Sequence, residues 1–311
     1  MIGIPRPRRG RRHTRLAGFA IASLALGVRP VIAQDLAPAA YNPGPIRLNV
    51  LTFLANVNKG DVTFDPALPI DNAHATIGVA AVGFTRSFGL AGRYANIGVA
   101  VPYGNGHLEG LVLGEPRQRS PAGLADMAVR MAVILYGARA MSLQQFAAFK
   151  PSTIVGVSLT TGIPVGDYEP DKAINIGTNR WAFKPEVGVS HRTGPWTFEG
   201  DLAMVFFTDN TNFFNGGTYE QAPIVAMQGH VIRAFKPGLW AAVDANFWRG
   251  GRPTTNGVPG SELQKNSRVG ATLAVPVKRQ HQLRVAFSVG AYTRLGGDFK
   301  ALGVSYSYVW R

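Results

Sequence analysis

The chain has 311 residues, of which 46% are hydrophobic and 16% are charged, whereas about a quarter of a soluble protein is usually charged. It contains no cysteine, which excludes disulfides and thiolate metal sites. Seven arginines within the first 33 residues account for half of the formal net charge of +14. Because the remaining basic residues are spread thinly, we expect no nucleic-acid partner.

The first 33 residues have the three parts of a secretory signal. Residues 1–15 are basic, residues 16–28 are apolar, and residues 31–33 offer a cleavage site to signal peptidase. A membrane anchor would need about 20 apolar residues, more than this stretch contains. We therefore predict a signal peptide over 1–33, export of the chain, and one mature domain over 34–311.

Beyond residue 45, short segments alternate apolar and polar residues between stretches rich in Gly, Pro, Asn and Asp, which is typical of antiparallel strands. We predict twelve such segments. They cover residues 46–56, 74–85, 93–102, 124–137, 153–162, 181–192, 195–207, 222–235, 238–249, 267–278, 281–293 and 299–310. Between the fourth and fifth segments, residues 141–149 are predicted to form a small periplasmic helix.

The alternation gives each predicted strand one apolar face and one small or polar face. In the last strand, Leu302 and Val304 share the apolar face, while Gly303 and Ser305 share the other. Several polar faces also carry full charges in mid-strand, and we expect these to line the lumen of a barrel, as a selectivity filter or as an internal salt-bridge network. They are Arg130, Lys184, Glu186, Glu199, Asp201, Asp244, Arg268 and Arg284.

Three features favour a barrel in a membrane over a soluble sandwich. Long and short connections alternate, as in outer-membrane barrels. Aromatic residues near segment ends predict girdles at the two membrane interfaces; they are Tyr94, Tyr103, Tyr136, Trp181, Trp196, Phe235, Trp240, Trp248, Tyr292, Phe299 and Trp310. The last strand must also pair with the first, because an open apolar edge is not tolerated in lipid.

These features predict an all-β fold, a transmembrane antiparallel up-and-down barrel of about twelve strands in a Gram-negative-type outer membrane. Its expected partners are outer-membrane lipid, the barrel-assembly machinery, which reads a terminal aromatic strand such as the one ending at Trp310, and small-molecule solutes.

One hairpin is short enough to predict its register. A two-residue turn of Thr193 and Gly194 would pair Arg192 with Pro195 and hence Glu186 with Asp201. Because directly opposed carboxylates are unfavourable, Lys184, an arginine or a bound cation should neutralise them.

Other candidate sites have ordinary explanations. The loop 162–180 concentrates glycine, proline and the carboxylates of Asp167, Glu169 and Asp171, which fits an outer gate but also ordinary turn chemistry. The histidines lack metal-ligand spacing, so we expect no metal site and no cofactor. Ser190 and His191 are adjacent and point to opposite faces of a strand, so we expect no enzyme.

Several strings in the second half resemble one known family. They run over residues 161–168, 175–188, 209–212, 247–251, 256–257 and 294–299. They resemble the MetA-pathway of phenol degradation family of transporter-like outer-membrane proteins, over about residues 120–311. The resemblance implies an outer-membrane barrel associated with uptake of hydrophobic or aromatic catabolites.

The leading functional hypothesis is a channel for passive uptake of small organic compounds. A hydrolase acting on lipids is the first alternative, and a serine and a histidine on neighbouring strands at the outer rim, both facing lipid, would favour it. A structural barrel that conducts nothing is the second.

Overall fold

The computed structural model describes residues 36–64 and 70–311. The predicted signal peptide at 1–33 lies outside the described residues, so it stays a prediction. None of the helices in the described part of the chain is long and apolar enough to cross a membrane.

Twelve long strands form one closed antiparallel sheet. They are β1 Asn49–Thr63, β2 Ile70–Leu90, β3 Arg93–Val112, β4 Met127–Tyr136, β5 Thr153–Ile163, β6 Ala182–Thr193, β7 Trp196–Phe207, β8 Ile224–Lys236, β9 Leu239–Gly250, β10 Gln264–Lys278, β11 His281–Thr293 and β12 Gly296–Trp310. Each strand pairs with the next along the chain, and β1 pairs with β12, from Asn49 opposite Trp310 to Thr63 opposite Gly296. The predicted up-and-down barrel of twelve strands is confirmed.

The connections alternate between two ends of the barrel. The inner end carries the turns at 91–92, 194–195, 237–238 and 279–280 together with the short helix α1, Leu143–Ala148. Ser142 caps this helix through its hydroxyl, which accepts from Gln145 N at 3.3 Å, and Gln145 Oε1 accepts from Ser142 N in return. The predicted small helix is therefore confirmed. The other end, called here the outer end, carries the connections after β1, β3, β5, β7, β9 and β11. Most of these are longer, but the last consists only of residues 294–295.

The first three strands extend beyond the predicted segments. β2 and β3 pair from Leu90 opposite Arg93 to Ile70 opposite Val112. The outer part of β3 contains Gly104, Asn105 and Gly106. These residue types favour turns, so the sequence does not indicate a strand there. In the structure, the hydrogen-bonded ladder with β2 outweighs that preference. Further short strands lie in the outer connections. They are Glu115–Arg119, Ala122–Leu124, Asn210–Phe213, Gly217–Gln221, Pro253–Thr255 and Val258–Pro259.

The outside of the barrel is apolar and the inside is small or polar. On β11, Phe287 is 50% exposed whereas its neighbour Ser288 is 5% exposed. On β12, Leu302 faces out while Ala301 and Ser305 are buried. The period of two therefore places the apolar residues toward the surrounding membrane.

The predicted aromatic girdles are only partly correct. Tyr94, Trp240 and Trp248 are buried, because each lies at an inward position of its strand, so the prediction is wrong for them. Six residues of the predicted set are exposed, and Phe299 and Trp310 are half-buried. The exposed ones are Tyr103, Tyr136, Trp181, Trp196, Phe235 and Tyr292.

Candidate functional site

The barrel interior holds a set of charged side chains. The eight charged residues of the sequence analysis all lie at inward positions of their strands. They are Arg130 on β4, Lys184 and Glu186 on β6, Glu199 and Asp201 on β7, Asp244 on β9, Arg268 on β10 and Arg284 on β11.

The residues before β1 also lie in the interior. This N-terminal segment, residues 36–48, begins beside β10, where Leu36 lies against Gly270. Ala39 N then donates to Glu199 Oε2 on β7 at 2.7 Å. Near the inner end, Ile46 N donates to the carbonyl oxygen of Met141 at 2.8 Å. The segment thus crosses the lumen from one side of the wall to the other.

Tyr41 lies at the middle of this segment and is 4% exposed. Its ring lies against the backbone of β5 and β6 at Gly156 and Gly188, which face each other across the strand pair. A Cβ atom at Gly156 would lie 2.2 Å from the ring, and one at Gly188 would lie 2.3 Å from it. The two glycines therefore create the niche that the ring occupies.

A charged cluster surrounds the Tyr41 hydroxyl. The hydroxyl lies 2.9 Å from Glu186 Oε1 and 2.9 Å from Ser158 Oγ. Lys184 Nζ lies 2.9 Å from Glu186 Oε2, and an Arg130 guanidinium nitrogen lies 3.8 Å from Glu186 Oε1. The Arg130 guanidinium also lies 5.2 Å from the centroid of the Tyr41 ring. Glu186 is thus held between two cations and the N-terminal segment.

A second cluster lies on β7 to β10. His230 Nδ1 lies 2.7 Å from Asp244 Oδ1, and Thr272 Oγ1 donates to Asp244 Oδ2 at 2.7 Å. His230 Nε2 lies 3.8 Å from Asp201 Oδ2. His230 is one of the histidines weighed above only as metal ligands, although the period of two places it inward beside Asp244.

The predicted register of the β6–β7 hairpin is wrong by two residues. Thr193 pairs with Trp196, so Gly194 and Pro195 form the turn, and Gly188 rather than Glu186 lies opposite Asp201. Gly194 has φ +57°, and a glycine at the first of two turn positions suits a II′ hairpin turn. A shift of two keeps every side chain on its predicted face but removes the expected pairing of carboxylates.

The loop between β5 and β6 is tied to its neighbours at the outer end. Asp126 accepts from Gly166 N at 3.1 Å and from Thr178 N at 2.9 Å. Asp167 accepts from Leu124 N at 2.8 Å, and Glu169 forms an ion pair with Arg119. Two of the three carboxylates that suggested a gate, Asp167 and Glu169, are thus engaged within the loops.

Asp171, the third of these carboxylates, lies on the loop surface. It pairs with the neighbouring Lys172. The hydrogen bond from that ammonium group holds the pKa of the Asp171 carboxyl below its ordinary value.

One polar arrangement at the outer end resembles part of a catalytic triad. Ser120 Oγ lies 2.8 Å from His107 Nδ1, and His107 Nε2 lies 3.7 Å from Glu109 Oε2. The side chains of His107 and Glu109 are 50% and 61% exposed. The distance between His107 and Glu109 is too long for a hydrogen bond, so only Ser120 orients the His107 ring.

Comparison with solved structures identifies similar barrels. An outer membrane channel from Pseudomonas putida F1 superposes with a TM-score of 0.74 at 16% sequence identity, covering 89% of this chain and 100% of that chain. The Beta domain of the Bordetella autotransporter Brka superposes with a TM-score of 0.52 at 11% identity, covering 84% of this chain and 99% of that chain. At these identities the likeness shows the fold. No curated protein matches the chain.

Comparison with protein families confirms the resemblance noted in the sequence and extends it toward the N-terminus. The match covers residues 57–308 and therefore nearly all of the barrel. The chain belongs to the family described as putative MetA-pathway of phenol degradation.

Proposed function

We propose that the protein is a channel of the Gram-negative-type outer membrane that admits small organic solutes by passive diffusion, and that the N-terminal segment occludes it between passages. Outer-membrane lipid surrounds the barrel in this proposal, the barrel-assembly machinery inserts it, and the predicted signal peptide directs its export. The similar channel from Pseudomonas putida supports a channel role, and the family name supports uptake of aromatic or other hydrophobic compounds.

The observation that carries the proposal is how the N-terminal segment is held. Between residues 37 and 41 its polar contacts with the barrel are to the side chains of Gln228, Glu199, Ser158 and Glu186, with one longer contact from the Tyr41 hydroxyl to the Glu186 carbonyl oxygen at 3.4 Å. Such contacts can break one by one while the strand ladders stay intact, so the segment can move without unfolding the barrel. The wall behind it is polar, which suits passage of solutes with water.

Tyr41→Ala tests this proposal. The variant loses the ring from its niche and the hydrogen bond to Glu186. A hydrogen bond to a charged group contributes about 1.5–3 kcal/mol, so we expect permeation of glycine into liposomes to rise by roughly tenfold or more. Tyr103→Ala, which removes an outward tyrosine, should leave permeation unchanged. If wild type and Tyr41→Ala are equally impermeable, a closed structural barrel becomes the better account.

A hydrolase is the second candidate, because Ser120, His107 and Glu109 lie together at the outer end. Their exposure argues against it, since water screens the charge that a triad must stabilise. The same liposomes can be supplied with a chromogenic short-chain ester. We expect the same rate of ester hydrolysis from the wild type and from Ser120→Ala. Turnover abolished by this substitution would establish the hydrolase instead.

A further inference from the structure

A cavity of about 380 Å³ opens at the inner end of the barrel. It lies between the N-terminal segment, α1 with the residues that follow it, and the β6–β7 turn. Its walls include Pro43 from the N-terminal segment, Phe146 from α1, and Ile154 from β5. Its volume falls within the range of small-molecule pockets.

The lining of the cavity combines aromatic and cationic groups. Phe146 and Phe149 present rings whose centroids are 6.1 Å apart. Lys150 and Arg192 add positive charge, and among the described residues that line the cavity there is no aspartate or glutamate. Arg192 Nε donates to the carbonyl oxygen of Gly194 at 3.3 Å, which holds the guanidinium near the turn.

We propose that this cavity binds a small organic anion with an apolar body, such as an aromatic carboxylate. The rings and Ile154 would bury the apolar body, and Lys150 with Arg192 would attract the carboxylate. A neutral aromatic compound would lose the attraction to the two cations, and a small inorganic anion would leave the apolar walls in water. The occupant therefore needs both parts.

The cavity also lies on the path of the proposed channel. Ser190 lines it and donates to Glu199 Oε1 at 3.1 Å, and the same carboxylate accepts from Ala39 N of the N-terminal segment. Asn42 and Pro43 of that segment form part of the cavity wall. On the basis of the proposed function, this cavity is the last binding site that a solute meets before it reaches the periplasm.

Calorimetric titration of the folded full-length mature chain in detergent micelles tests the inference. The probes are benzoate, its neutral analogue benzyl alcohol, and acetate, with titration into empty micelles subtracted. Benzoate should bind at least about tenfold more tightly than the other two. Equal affinity for benzoate and benzyl alcohol, or no binding of benzoate, would overturn the inference.

Two charge-reversal variants locate the binding. Lys150→Glu should weaken benzoate binding by about tenfold or more, whereas Lys278→Glu, at an exposed lysine of the same end outside the cavity, should not. An equal effect of both variants would show that benzoate is attracted by the positive charge of the whole inner end, and this would overturn the proposed site. Benzoate can bind in the cavity without an open lumen, so the two proposals can fail separately. If the barrel binds benzoate while Tyr41→Ala stays impermeable, the channel proposal is refuted and the binding site stands.

Discussion

Glu186→Gln is expected to lower the free energy of unfolding by about 3–5 kcal/mol, because it leaves Lys184 and Arg130 as buried cations without their carboxylate. The side chains of Lys184 and Glu186 are only 9% and 5% exposed, and that of Arg130 is 15% exposed. The gel-shift melting temperature of the folded barrel measures the effect.

An exposed ion pair provides the matched control. Glu169 pairs with Arg119 in the outer loops and its side chain is 56% exposed, so Glu169→Gln should change stability by about 0–1 kcal/mol. Adding Lys184→Met to Glu186→Gln removes one of the stranded cations and should restore part of the loss. Equal melting temperatures for Glu186→Gln and Glu169→Gln would contradict the interior network.

This network bears on the two roles proposed for the interior charges. Glu186 contacts cations and the N-terminal segment together, so we propose that the charges brace the closed state. A contribution to ion selectivity stays a prediction. In the Tyr41→Ala channel, replacing Glu186 by Gln and Asp201 by Asn should shift the reversal potential.

Phe287→Arg is expected to destabilise the membrane-inserted barrel by about 2–4 kcal/mol, because an arginine facing lipid near the bilayer midplane is costly. Phe287 is the central residue of β11 and faces outward. Refolding into lipid vesicles, followed by titration with denaturant, measures this difference.

Leu113→Arg is the control for adding an arginine to an exposed position. Leu113 lies in the outer connection after β3 and is 79% exposed, where water can hydrate the new charge. The stability of the Leu113→Arg barrel should match that of the wild type. Similar stability of both variants would mean that β11 does not face lipid as the alternation indicates.

The sequence predicts the parts of this fold that depend on local patterns. Alternation of apolar and polar residues suffices for the strand number and the inward set of charges, because a strand has a side-chain period of two. Turn chemistry is less informative: Thr193, Gly194 and Pro195 allow two registers, and only the ladder with β7 selects the one observed.

Long-range contacts explain what the sequence misses. Residues 36–45 have no alternation, so nothing local indicates that they cross the lumen. The mid-strand glycines Gly156 and Gly188 were the available signal, since glycine within a strand often marks close approach of another group. Identifying Tyr41 as that group needs the fold, because it is 115 or more residues away in the chain.

Occlusion of the lumen by the N-terminal segment is the central claim, and the absence of native cysteine allows a direct test. In a Tyr41→Cys and Ser158→Cys double variant, a short reducible reagent that reacts with two thiols can bridge the segment to β5. Glycine permeation into liposomes should be low after bridging and rise by about tenfold on reduction, as for loss of the Tyr41 contacts. Permeation that reduction leaves unchanged would contradict the account.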